Sequence, residues 1–138
     1  MSEYCEVDIG LKDQECLIKT LEELGYKPQI HVDAVSLEGY QGDKRKQKAH
    51  IVIPRKQVGT ASNDVGFELV NGEYILHVSQ FDKNNVKLRP NRLKQLYAKY
   101  KVVKTISNKS GKYKLKSNVT GADGRIRIKV GIRSATSP

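Results

Sequence analysis

Lysine and arginine in strict alternation with apolar residues carry the most legible chemistry in this chain. Lys112, Lys114 and Lys116 alternate with Tyr113, Leu115 and Ser117; after the turn-like Thr120-Gly121-Ala122-Asp123-Gly124, Arg125, Arg127 and Lys129 alternate with Ile126, Ile128 and Val130. Side chains change face at every residue of a strand, so a hairpin pairing these runs gathers six cations on one face and the apolar residues on the other. Like charges lying opposite each other repel, so such a face is one that solvent, acidic residues or a partner's phosphates or carboxylates must screen. Two further basic stretches join it: Lys44, Arg45, Lys46 and Lys48 in a short run, and Arg89, Arg92, Lys94, Lys99 and Lys101 along a helical segment. Phosphate contacts need flexible cations spread along a surface rather than one fixed geometry, which suits a nucleic-acid backbone. The residues expected to make them are Lys44, Arg45, Lys46, Lys48, Arg92, Lys99, Lys112, Lys114, Lys116, Arg125, Arg127 and Lys129. Tyr97, Tyr100 and Tyr113 interleave with these cations as base-stacking rings would, yet their spacing assigns them to the core side.

Catalytic patterns are not found at diagnostic spacing: no nucleophile beside a base, no paired carboxylates in a usable frame, no nucleotide loop. Gly39-Tyr40-Gln41-Gly42 lacks the Gly-Lys-Ser/Thr ending of such a loop and reads as a turn anchored by Tyr40. His31, His50 and His77 each fall in a strand and, with Glu6, Asp8 and Asp33, would surround a divalent metal only if their strands were neighbours on one face. Their spacing is that of ordinary polar strand residues, so a non-enzymatic chain without metal or cofactor is expected. Cys5 and Cys16 read as free thiols in a reducing compartment.

The positive charge is unevenly placed. Residues 1–40 hold nine acids against three bases, and residues 41–138 hold six against twenty-two, within a net charge of +10. Twenty-two bases cannot all be matched internally, which favours a polyanion or an acidic protein as partner. With no apolar run of the roughly 20 residues that span a bilayer and no basic, apolar start of the secretory kind, a cytoplasmic protein off the membrane is expected. A length of 138 residues fits one domain, taken as 1–133 with 134–138 a disordered tail.

The elements that must position these residues follow from periodicity. Cys5, Val7, Ile9 and Leu11 alternate with polar neighbours as a strand, and Asp13 caps a helix bearing Leu17, Ile18, Leu21 and Leu24 up to Gly25. Ile30, Val32 and Ala34 mark a second strand, Asp43 to Lys48 a basic loop, and Ala49 to Ile53 a third strand. Arg55 to Asp64 reads as a polar loop. Val65, Phe67 and Leu69, then Asn71-Gly72, then Tyr74, Leu76 and Val78 form a hairpin. Pro90 starts a helix carrying Leu93, Leu96, Tyr97, Tyr100 and Val103 and running to about Asn108. Gly25-Tyr26 and Gly111-Lys112-Tyr113 look like the same helix exit used twice. The resulting fold class is α+β, a ferredoxin-like-type antiparallel sheet with two helices on one face, in the order β-α-β-β-β-β-α-β-β.

Several short motifs carry a family resemblance over most of the chain: Leu24-Gly25-Tyr26, Gly39-Tyr40-Gln41-Gly42, Ile51-Val52-Ile53, Asn63-Asp64-Val65-Gly66-Phe67 and Gly124-Arg125-Ile126-Arg127-Ile128. With them the chain resembles the hypothetical chloroplast reading frame thirty-five family, a domain of unknown function found in plastid, bacterial, archaeal and phage genomes. It departs from that pattern at Ser79-Gln80-Phe81-Asp82, where family members often carry tryptophan. The resemblance implies no catalytic residues. It implies an accessory role, since some members are encoded near AAA-type ATPases, and so an adaptor docking on an acidic protein of that kind is the alternative to nucleic acid.

Overall fold

The structure, a computed structural model, describes residues 3–108 in full, together with the backbone of residues 113–120 and 126–132. Elements follow as β1 (Tyr4–Leu11), α1 (Gln14–Glu23), β2 (Gln29–Glu38), β3 (Lys44–Ile53), α2 (Arg55–Val58), β4 (Val65–Val70), β5 (Glu73–Ser79), α3 (Pro90–Asn108), β6 (Tyr113–Thr120) and β7 (Ile126–Ile132). The fold is α+β. Five antiparallel strands lie in the order β1-β5-β4-β3-β2, and β6 pairs with β7 as a separate ribbon. Strands β2 to β5 form a meander, and β1 adds beside β5, an order that pattern alone had left open.

Register explains the core. Val7, Leu76, Phe67 and Ile51 align across four strands, and strand alternation turns them all to one face. There they pack with Leu17 and Leu21 of α1 and Leu93 of α3, so both long helices cover this side. The next row, Glu6, His77, Gly66 and Val52, faces away. On that side the sheet curls until Tyr4 of one edge strand packs against a cluster of Leu37, Ala49 and Val52 from the other end of the sheet. Asp13 caps α1 by accepting the Cys16 N–H at 3.1 Å, and the helix closes with Tyr26 N–H on the Leu21 carbonyl, which buries the Tyr26 ring. Asn71 and Gly72 both take positive φ, 50° and 83°, the geometry of a type I′ hairpin turn.

Three expectations are corrected. Lys44 to Lys48, read as a loop, is the first half of β3: its pairing with β2 overrides its charge, Lys48 lying opposite Ser36 and Lys44 opposite Glu38. Arg55 to Val58, read as part of a loop, is a short helical turn. Ile30 and Val32, expected to alternate inward, are 54% and 96% exposed. The register there jumps from Ile30↔Ile51 to Val35↔Ala49, so four residues of an edge strand bulge opposite His50 alone. The second helix exit at Gly111 and the tail at 134–138 lie outside the described residues.

Gly66 is where the curl depends on the absence of a side chain. A Cβ there would stand 2.5 Å from the Ala49 Cβ and 2.8 Å from Leu37 Cδ2. Ala49 cannot rotate away, so the strands must part. Gly66→Ala is expected to cost about 1–3 kcal/mol of stability, read as a lower urea midpoint at unchanged slope.

Candidate nucleic-acid interface

The β2–β3 turn is held from beneath by a buried polar clamp. Asp64 accepts the Glu38 N–H at 2.8 Å and the Arg55 N–H at 2.7 Å. Asn63 accepts the Tyr40 N–H at 2.9 Å and donates its side-chain amide to Ser79 Oγ at 2.9 Å. Asp82 Oδ2 accepts from the Asn63 N–H at 2.9 Å and from the Ser79 hydroxyl at 2.8 Å. All four side chains are buried. Burial pushes the Asp64 carboxyl up, against the pull of its two N–H donors.

From this clamp β3 starts with Lys44, Lys46 and Lys48 exposed and Arg45 and Gln47 turned inward. Lysines two apart on a strand are spaced about 7 Å. None of the three makes an ion pair with a described residue; Glu38, opposite Lys44, lies 3.8 Å from the Arg55 guanidinium instead. Arg45 has a different place. Its side chain is only 14% exposed, 3.6 Å from Asp43 and 5.2 Å above the Tyr4 ring, so it braces the turn. Tyr4 in turn donates its hydroxyl to the Asp64 carbonyl at 2.5 Å, and burial, with Asp64 beside it, raises its pKa.

The later cations of α3 are turned onto the acidic helix α1 and its cap, while Lys94 is exposed. Lys99 bonds Glu23 at 2.6 Å, Lys104 bonds Asp13 at 2.7 Å and Glu15 at 3.2 Å, and Lys101 stands 3.6 Å from Asp13. Arg92 is half-buried in the same helix. The structure therefore sets Lys99 against an internal acid, while Lys44, Lys46 and Lys48 stay open. Tyr97 accepts the Asp13 N–H at 2.8 Å. Tyr100 donates to Glu23 at 2.7 Å, and burial together with that carboxylate pushes its hydroxyl up to about 12. Both rings serve the fold, as their spacing indicated. In the ribbon, Val119 pairs with Arg127, Ser117 with Lys129 and Lys114 with Gly131, and the register shifts at Lys116. Lys112 and Arg125, and the side chains of Lys114, Lys116, Arg127 and Lys129, lie outside the described residues, and so does the predicted six-cation face.

The Lys104 ammonium bonded to Asp13, opposed by burial and helped by the Cys16 N–H, holds that carboxyl at about 2. Its folded value lies below the ordinary value of about 3.9, so its contribution is complete above about pH 5 and is lost progressively as pH falls through 4 and then 2. Asp13→Ala should cost about 1–2 kcal/mol at neutral pH and flatten the acid limb of stability between pH 4 and 2, as followed by urea midpoints.

The histidines do not converge. His50 Nδ1 accepts the Leu69 N–H at 2.9 Å, and His77, 2% exposed, places Nε2 2.9 Å from Glu68. Among the described residues no group of three or more His, Cys, Asp and Glu is arranged to hold a metal. Cys5 and Cys16 are free, and no described helix is long and apolar enough to cross a membrane.

Sequence reasoning missed the cleft beside the clamp, a space of about 530 Å³ lined by Tyr40, Gln41, Asp43, Ala61, Asn63, Gln80 and Phe81. Tyr40, read as an anchor, is 51% exposed; its backbone N–H does the anchoring. A second cleft of about 400 Å³ shares Asp43 and is lined by Glu3, Tyr4, Lys44, Arg45, Lys46 and Gln47. The signal was present in Gly39-Tyr40-Gln41-Gly42 and Asn63-Asp64, two motifs far apart in the chain that meet at this point.

A family model matches residues 20–129, a span that takes in the clamp, the Tyr40–Phe81 cleft and the lysine strand. The chain belongs to the family described as "Protein of unknown function (DUF1257)". No curated protein and no solved structure matches it.

Proposed function

We propose that this family member is a non-enzymatic module that binds the backbone of RNA or DNA. The observation that carries this reading is the row of Lys44, Lys46 and Lys48, exposed on one side of β3 and without an acid partner among the described residues. Three mobile ammonium groups about 7 Å apart match a run of phosphates without demanding a base sequence. The ribbon cations Lys112, Lys114, Lys116, Arg125, Arg127 and Lys129 belong to the proposal from sequence alone. The free thiols of Cys5 and Cys16 support a reducing, cytoplasmic setting. The shared turn motifs support placing the chain with the hypothetical chloroplast reading frame thirty-five group inside its family.

A second reading, docking on an acidic protein such as an AAA-type ATPase, draws on Ile30 and Val32, exposed on the outer strand β2. Gel shift with mixed RNA and DNA pools separates the two. Retardation at 50 mM salt that fades steeply by 200 mM is expected; no retardation of any pool at 50 mM, with protein capture that survives nuclease, would favour the second reading.

A further inference from the structure

Resting on the backbone-binding reading, we propose that the Tyr40–Phe81 cleft stacks unpaired bases, so that the ligand is a single strand rather than a duplex. Tyr40 and Phe81 are 51% and 59% exposed, an unusual state for two aromatic rings lining one concavity. Neither ring is carried on a loose loop. The Tyr40 N–H is tied to Asn63, the Gln80 N–H donates to the Glu3 carbonyl at 2.8 Å, and Asp82, next to Phe81, lies in the buried clamp. A ring held out on a fixed backbone loses little freedom when a partner covers it, which is what a stacking platform requires.

The rest of the lining fits a nucleobase. Gln41 and Gln80 are exposed amides with a donor and an acceptor each, suited to the polar edge of a base whose face lies on an aromatic ring. The volume falls within the range of small-molecule sites. Cations adjoin it: the neighbouring cleft presents Lys44 and Lys46 across the shared Asp43, and the Asp43 carboxylate is offset by Arg45 at 3.6 Å. A strand laid along β3 would thus set phosphates on the lysines and swing bases into the cleft. In a duplex the base faces are already stacked on one another, so this cleft discriminates against it.

The test uses labelled oligothymidylate, an abasic strand of equal length and a duplex, each titrated by fluorescence anisotropy at 50 mM salt. The native protein should bind oligothymidylate about tenfold or more tighter than the abasic strand, the scale of one base–aromatic stack, and tighter than the duplex. Combined Tyr40→Ala and Phe81→Ala should erase that preference and leave abasic affinity within twofold; both side chains are exposed, so the fold is retained. Because the chain holds no tryptophan, the Phe81→Trp variant supplies a lone indole, whose emission should fall as oligothymidylate binds and stay unchanged with the abasic strand. Equal affinity for base-bearing and abasic strands overturns base stacking while leaving backbone binding in place. Failure of both strands to bind overturns backbone binding and base stacking together.

Discussion

Asp64→Ala should cost about 3–5 kcal/mol, the largest loss of stability expected from any single substitution considered. The carboxylate serves two backbone donors at once, the N–H groups of Glu38 and Arg55. Truncation strands both in a site that is 8% exposed, and each orphaned buried donor costs about 1–3 kcal/mol. One effect works the other way. Burial raises the Asp64 carboxyl, so folding already bears a desolvation penalty that the alanine removes, and this keeps the net loss below the sum of the two extremes. Against a total stability of roughly 5–15 kcal/mol the variant would be near its unfolding threshold. Asp64→Asn keeps one acceptor and turns an amide hydrogen toward the other N–H, so it should recover less than half of the loss. Urea unfolding of the two variants beside the native protein decides this; an unchanged midpoint for Asp64→Ala would show that the clamp does not hold the turn.

Charge reversal of Lys44, Lys46 and Lys48 to glutamate should weaken single-strand binding on the order of 100-fold or more, because three phosphate attractions become repulsions. Stability should barely move. The three side chains are exposed and unpaired among the described residues, and surface changes away from specific contacts stay within about 0.5 kcal/mol each. Reversal of Lys99 is the instructive contrast. Its ammonium already bonds Glu23 at 2.6 Å with only 16% of the side chain exposed, so Lys99→Glu should strike the α1–α3 contact first, by setting two carboxylates together.

Much of this fold could be read from periodicity because local rules and tertiary packing agree. Asp13 caps where its position before an apolar helix says it should, Asn71-Gly72 turns, and Pro90 opens α3. The failures share one cause, edge geometry. Lys44 to Lys48 reads as a loop because its charge hides a strand paired on one side and wet on its outer face. Val32 reads as inward-facing because alternation presumes an unbroken register, and a bulge removes that. The clamp was invisible for a different reason. Asn63-Asp64 is visible in sequence as a short motif, but nothing in it or in Ser79 and Asp82 names their partners, and only the curl of the sheet brings the end of β5 under the β2–β3 turn. Charge counting located the excess of bases but could not show that α1 absorbs much of α3, since residues 13–23 and 99–104 are joined only in three dimensions.

The most direct measurement is the salt slope of binding. Affinity for a labelled single strand would be followed by anisotropy between 50 and 200 mM salt for the native chain and for the combined Lys44→Ala, Lys46→Ala, Lys48→Ala variant. Each phosphate contact on a single strand contributes about 0.7 to the slope of log affinity against log salt. The native chain should therefore be steeper by about 2, equivalent to a roughly 20-fold larger loss over that salt range. Equal slopes for the two proteins, or no native binding at 50 mM, would contradict a phosphate-binding strand at β3.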